Sequence, residues 1–228
     1  MSGPGAVEHR PTQRFVDAVA LAVEIHGPQE RKGLGVTYLS HVLGVAGTVW
    51  EYGGDEDLAI AGLLHDAVED GGGTAMRDRI CSAFGERVAA VVVECSDSIT
   101  EDPAHKGPWF ERKVRHLDAM RSKSDDAVLV SAADKVHNAR SILADHHTVG
   151  DALWARFNPT AGADGTVWYY RRLEETIVPR LAVLGGRRAQ LGAELARTVD
   201  DLAASVRRGV PDLDERILRR RISAQAPR

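Results

Sequence analysis

Four titratable side chains crowd into one short apolar stretch, Leu63-Leu64-His65-Asp66-Ala67-Val68-Glu69-Asp70. An imidazole beside a carboxylate is half of a donor set for a divalent cation, and two more carboxylates one helical turn on are spaced to move protons. On a wheel of about 100° per residue, Ile60, Leu63, Leu64, Ala67 and Val68 share one arc, while His65, Asp66, Glu69 and Asp70 share the opposite one with Gly62 near its middle. The pattern predicts one amphipathic helix over residues 56–70. Gly62 costs helix stability, on the order of 1 kcal/mol relative to Ala, and opens room for something to approach the backbone. A solvated acidic face, from Asp55 to the Gly71-Gly72-Gly73 run, is the other reading that this stretch allows by itself.

A second helix has the same design. Between Val128 and Leu143 the residues Val128, Leu129, Ala132, Val136, Ala139, Ile142 and Leu143 gather on one side, and Asp134, Asn138 and Ser141 share the other. A third segment, Tyr38 to Ala46, sets His41 on an otherwise apolar helix, where a lone histidine is more often a satisfied core residue than a ligand. Three helices lending polar groups to one point change that reading, because buried charges need a counter-charge such as a cation.

The order His41, His65-Asp66, Asp134 resembles the H…HD…D pattern of the HD-domain metal-dependent phosphohydrolases. More specifically, the chain is similar to the alarmone hydrolases, the small stand-alone relatives of the RelA/SpoT hydrolase domain. Four blocks carry the resemblance: Arg31-Lys32 with Tyr38-Leu39-Ser40-His41, then His65-Asp66-Ala67-Val68-Glu69-Asp70, then Glu111-Arg112-Lys113, then Ala133-Asp134-Lys135-Val136-His137-Asn138. They fall within residues 11–180.

That resemblance implies an all-α, HD-domain helical bundle in which His41, His65, Asp66 and Asp134 bind one divalent metal, typically Mn2+. Donor types alone do not separate manganese from iron, cobalt or zinc. Glu69 and Asp70 match the family's catalytic acidic pair, Glu69 as general acid/base and Asp70 orienting it or sharing the proton. A divalent ion in such a site makes hydroxide available near neutral pH and polarises a phosphoryl oxygen. The implied reaction is hydrolysis of the ester between the ribose 3′ oxygen and pyrophosphate of guanosine tetra- or pentaphosphate (ppGpp), a 3′-pyrophosphohydrolase activity.

For substrate binding, Arg31 and Lys32 match a pair whose arginine stacks on the base, and Asn138 and Ser141 match ribose-facing positions, Ser141 standing where the family usually has threonine. Without the resemblance, Arg31-Lys32 reads as a solvated loop pair after Gly27-Pro28. Arg112, Lys113 and Lys135 either add positive potential near phosphates or lie on the surface. The chain departs from the pattern at Thr37, where a proline commonly precedes the tyrosine. Trp109 stands where some stand-alone hydrolases carry a phosphate-binding lysine, and the segment Asp164 to Tyr170 lacks an arginine before its aromatic pair. The expectation is a pocket with fewer cations. Two other function classes share these residues: another HD nucleotide phosphatase (a nucleotidase or NADPH phosphatase) and a non-catalytic nucleotide sensor, against which Glu69 and Asp70 argue.

At 228 residues and 43% hydrophobic content, the chain can bury one good-sized core, and nothing compels two domains. A net charge of −4 argues against nucleic acid as the main partner, and the resemblance implies a small-molecule nucleotide instead. Cys81 and Cys95 lack the spacing or number for a disulfide framework or zinc finger, and read as reduced thiols of a cytoplasmic protein. No apolar run reaches transmembrane length, and the N-terminus lacks a signal peptide's apolar core.

Glycine and proline divide an almost wholly helical pattern. Residues 1–10 form a polar lead, 11–207 a single domain, and 208–228 a basic tail with Arg216, Arg219, Arg220, Arg221 and Arg228, read as solvated or salt-bridged. Helices are expected over 12–26, 39–53, 56–70, 75–84, 86–96, 109–122, 126–146, 149–156 and 164–184, with Thr74 capping the fourth. A further helix from Arg187 to Arg207 closes the bundle or packs on a second copy in a homo-oligomer. The stretch between Ser96 and Pro108 is long enough to act as a lid. His146 and His147 read as complementing a helix dipole.

Overall fold

A computed structural model describes residues 10–31, 35–96 and 107–225. Eleven helices follow in order: α1 (Gln13–His26), α2 (Leu39–Glu51), α3 (Glu56–Leu64), α4 (Ala67–Asp70), α5 (Gly73–Phe84), α6 (Glu86–Cys95), α7 (Trp109–Met120), α8 (Asp125–Val149), α9 (Gly162–Leu184), α10 (Gly186–Arg207) and α11 (Leu213–Gln225). A 3-10 helix, Gly150–Arg156, joins α8 to α9. Among the described residues there is no β-strand; Glu30 and Thr37 form an isolated bridge. The all-α expectation is met.

The core is organised around α3 and α8. Helix α3 packs against α1, α2, α6 and α8, and α8 packs against α2, α6, α9 and α10. Residues 58–64 are buried all round, so the expected amphipathic helix is corrected: α3 is a central helix with no wet face. The reason lies in Gly62. A methyl group there would stand 3.3 Å from the Ala46 Cα, so the missing side chain lets the backbone of α2 close onto α3. What approaches the glycine is another helix.

The single helix expected over 56–70 is also interrupted. Helix α3 ends at Leu64, His65 and Asp66 form a turn, and α4 is the one-turn helix that follows. Asp55 caps α3 by accepting from the Leu58 amide at 3.0 Å, and Ser124 caps α8 by accepting from the Ala127 amide at 3.1 Å. Thr74 caps nothing. Helix α5 starts at Gly73, after Gly72 turns the chain with φ 112°, a conformation that glycine adopts without a Cβ penalty.

The basic C-terminal stretch is helical in its described part. Helix α11 lies on α9, where Arg220 donates to Asp164, Arg221 donates to Glu175 at 2.8 Å, and Arg207 of α10 reaches Asp214 at 2.9 Å. Its arginines are engaged within the chain. No helix of the described residues is long and apolar enough to cross a membrane.

Candidate metal centre and adjoining cavity

His41 comes from the first turn of α2, His65 and Asp66 from the turn between α3 and α4, and Asp134 from the middle of α8. The fold brings all four together. Ligand atoms of His41, His65 and Asp66 lie within 4.8 Å of one another. Asp134 Oδ1 stands 3.3 Å from His41 Nε2 and 3.7 Å from His65 Nε2, and Asp66 Oδ2 is 3.0 Å from His65 Nε2. Both imidazoles are buried, His41 at 1% and His65 at 3% exposure.

The hydrogen-bond network fixes which ring nitrogens carry protons. His65 Nδ1 lies 2.8 Å from the Gly62 carbonyl oxygen, which can only accept, so Nδ1 donates and Nε2 is left with its lone pair in the neutral ring. Arg31 Nη1 approaches His137 Nδ1 at 3.3 Å, and a guanidinium can only donate. His137 Nδ1 therefore accepts, and the proton in its 3.0 Å contact with His41 Nδ1 belongs to His41. Again Nε2 is the bare nitrogen. Neither Nε2 has a hydrogen-bond partner, although both are shut off from solvent. Two imidazole lone pairs and two carboxylates converging in a buried site are mutually repulsive until a cation lies between them, so the donor set fits one divalent metal.

The surroundings hold the two carboxylates ionised and act in opposite directions on the two imidazoles. Asp134 is fully enclosed, and burial would raise its pKa, but Lys135 and the two histidines hold it well below the usual carboxylate range. Burial likewise works against Asp66, yet the neighbouring His65 charge, together with the Tyr38 hydrogen bond, brings it down to about 2. Tyr38 is kept protonated, by burial first and by Asp66 second, and its hydroxyl donates to Asp66 Oδ2. Asn138 donates to Asp134 Oδ1, and Lys135 Nζ donates to Asp134 Oδ2 at 2.6 Å. Burial lowers His41, whereas at His65 burial is outweighed by the two aspartates and the pKa rises well above the ordinary value. His137, half-buried near His41 and Arg31, falls to about 4 and stays neutral at physiological pH.

Two cavities meet at this centre. A small one of about 60 Å³ is lined by His65, Asp66, Glu69, Cys95, His116, Ser131, Asp134 and Lys135. A larger one of about 410 Å³ is lined by Arg31, Tyr38, Lys113, Lys135, Asn138, Ser141 and Asp145, together with Leu153, Arg156, Phe157, Tyr169 and Tyr170. Lys135 lines both. Glu69 thus faces the metal-site cavity as the sequence suggests. Asp70 is solvent-exposed and lines neither cavity, although its charge reaches Tyr38. Arg31, Asn138 and Ser141 border the larger cavity, with Arg31 Nη2 donating to Asn138 Oδ1 at 3.0 Å. Lys32 and residues 97–106 of the expected lid lie outside the described residues.

Several participants carried no signal that sequence reading could weigh. Tyr38 and His137 stood inside the motif blocks without an assigned role, and His116 was not singled out. His137 fits because Gly44 of α2 has no side chain, leaving its ring the space that a Cβ would fill. Trp109 packs 6.3 Å from Trp168, ring to ring, so a lysine's place is taken by aromatic packing. His146 does more than complement a dipole: it is buried, with Ser205 Oγ 2.8 Å from Nδ1 and Asp151 Oδ1 3.2 Å from Nε2.

Comparison with known proteins agrees with this geometry. Residues 18–166 match the model of an HD domain family. The chain is 33% identical over 174 residues to the human guanosine-3′,5′-bis(diphosphate) 3′-pyrophosphohydrolase MESH1, covering 72% of this chain and 90% of that one. It is 37% identical over 131 residues to the Xenopus tropicalis MESH1, covering 56% and 69%. A probable enzyme of the same name from Synechocystis is 31% identical over 129 residues, which are 55% of this chain but only 16% of that much longer protein. Among solved structures, one described as a metazoan ortholog of SpoT that hydrolyses ppGpp aligns with a TM-score of 0.62 at 22% identity, over 82% of this chain and 96% of that one. The Listeria monocytogenes protein lmo0812 aligns with a TM-score of 0.58 at 28% identity, over 70% and 96%. With His41, His65, Asp66 and Asp134 gathered at one buried point, the chain belongs to the HD domain family, in the branch that holds the MESH1 proteins.

Proposed function

We propose that this protein is a divalent-metal-dependent phosphohydrolase that removes the 3′-pyrophosphate from guanosine 3′,5′-bis(diphosphate), with manganese as its metal and the cytoplasm as its compartment. The observation that carries the reading is the pair of buried Nε2 atoms that face Asp66 and Asp134 without a hydrogen bond, beside Glu69. The MESH1 relatives, named for this reaction, support the choice of substrate.

His41, His65, Asp66 and Asp134 would hold the cation. When bound, it supplies Lewis-acid activation of water and of a phosphoryl oxygen. Glu69, on the wall of the small cavity, takes a proton from the attacking water and returns it to the ribose O3′. A bond forms between the water oxygen and the phosphorus on O3′, that P–O3′ bond breaks, and the products are GDP and pyrophosphate. Lys135, fixed to Asp134 and shared by the two cavities, offers positive charge where the pyrophosphate leaves the nucleoside. Arg31, Asn138 and Ser141 line the nucleoside's side of the boundary, and Asp70, next to Glu69 on α4, orients it or shares its proton.

The test is product analysis with purified protein and manganese. Release of pyrophosphate and GDP from ppGpp is the expected result. Release of free phosphate from NADPH or a nucleoside monophosphate, with ppGpp untouched, would replace this reading by a phosphomonoesterase.

A further inference from the structure

The larger cavity holds four cationic side chains, and three of them are already engaged. Lys135 is bound to Asp134 at 2.6 Å, Arg31 to Asn138 at 3.0 Å, and Lys113 sits 4.7 Å from the centre of the Tyr169 ring. Arg156 differs. Its side chain, partly buried, lines the cavity, and its Nη1, closed off from solvent, has no hydrogen-bond partner among the described residues. A guanidinium keeps its charge at any physiological pH and cannot relieve its burial by losing a proton, so a donor in that state needs an acceptor from outside the chain.

The position of Arg156 is built rather than incidental. It ends the 3-10 helix, where Leu153 is 1% exposed and Trp154 is tied down by its indole N–H, which donates to Asp151 at 3.2 Å. The Trp154 ring also packs 5.8 Å from that of Phe157, on the other side of Arg156 in sequence. The arginine is thus held between anchored neighbours. The one acid on the cavity wall, Asp145, forms no ion pair with it.

We infer that Arg156 is the anchor for the 5′-phosphate group of the nucleotide, a specificity-determining residue of the larger cavity. The inference rests on the function proposed above, in which the 3′-pyrophosphate occupies the metal end. A substrate phosphorylated on both sides of the ribose then carries its second anionic group into the larger cavity, where Arg156 is the cation without a commitment. A planar guanidinium can meet two phosphate oxygens at once, which makes the contact sensitive to whether a phosphate is present.

The experiment measures binding of guanosine, GMP and GDP by calorimetry to chelator-treated wild type, Arg156→Gln and Arg156→Lys, with circular dichroism to verify folding. Wild type should bind GDP at least about tenfold more tightly than guanosine, the scale of one charge-assisted contact. Arg156→Gln should erase that difference while leaving guanosine binding unchanged, and Arg156→Lys should restore part of it. Equal weakening of all three ligands, an unchanged preference for GDP, or no preference in wild type would each overturn the inference. Loss of the GDP preference in a protein whose wild type releases no pyrophosphate from ppGpp would instead uphold this anchor and remove the reaction assigned to the metal end.

Discussion

The two cavities that meet at Lys135 are made in opposite ways. The metal end is closed and held from several sides: Tyr38 on Asp66, Asn138 and Lys135 on Asp134, the Gly62 carbonyl on His65 and His137 on His41. The other end is wide, and α8 supplies the largest share of its wall, joined by Leu153 and Arg156 of the 3-10 helix, Phe157, and Tyr169 and Tyr170 of α9. The difference teaches where each kind of specificity resides. The metal end rests on groups fixed by a buried network that reaches the wide cavity through Lys135 and Asn138, while the connecting segments add wall residues whose side chains can change without disturbing that network.

The comparison breaks most visibly at the metal end. His65→Ala should remove one divalent ion per chain, read by metal analysis, and lower kcat/KM by about 10³-fold or more, the scale of several kcal/mol of transition-state stabilisation. Retained metal with full turnover would disconnect the cluster from the chemistry. Glu69→Gln should separate binding from reaction: metal content stays at wild type while kcat drops about 10²-fold, as for loss of a general acid/base. Unchanged kcat would take Glu69 out of the mechanism.

Tyr38→Phe sharpens the contrast more gently. The hydroxyl that orients Asp66 is lost, and metal affinity measured by competition with a chelator should fall about tenfold. Wild-type affinity in this variant would mean that the network is ornament.

A pH series should produce the smallest change. Asp66 and Asp134 raise the pKa of His65 above its ordinary 6.5 in the metal-free chain. Its protonated ring therefore stabilises the metal-free fold fully below about pH 6.5, and that contribution is lost as pH rises through the elevated folded value. Asp66, at about 2, acts in the other direction and withdraws its contribution only as pH falls from about 4 toward that value. Metal should invert the His65 effect, because the cation competes with the proton. Thermal melting with chelator should decline above about pH 6.5, and melting with manganese should not. Identical profiles would show that His65 does not face the cation.

Legibility in the sequence follows the same division. The metal cluster was readable because its ligands are chemically unusual residues on strongly periodic helices, and their order in the chain survives whatever the loops do. The break after Leu64 was not, since a wheel continues through His65-Asp66 as smoothly as through any helix, and only packing against α2 at Gly62 shows α3 buried on every side. Helix α11 hid behind a run of arginines whose partners, Asp164 and Glu175, lie some fifty residues away in sequence. Arg156 escaped for a related reason. Its significance depends on the absence of a partner, which only a folded chain can reveal.

The termination of α3 at Leu64 has an electrical consequence. The last backbone carbonyls of a helix form the negative pole of its aligned peptide dipoles, worth about half an elementary charge. Ending just before His65 and Asp66, α3 brings that pole to the turn that carries two of the candidate ligands, where it would favour a bound cation from within the hydrophobic interior. Unlike the imidazoles and carboxylates, this part of the attraction cannot be titrated away, and it lasts for as long as the helix stays wound.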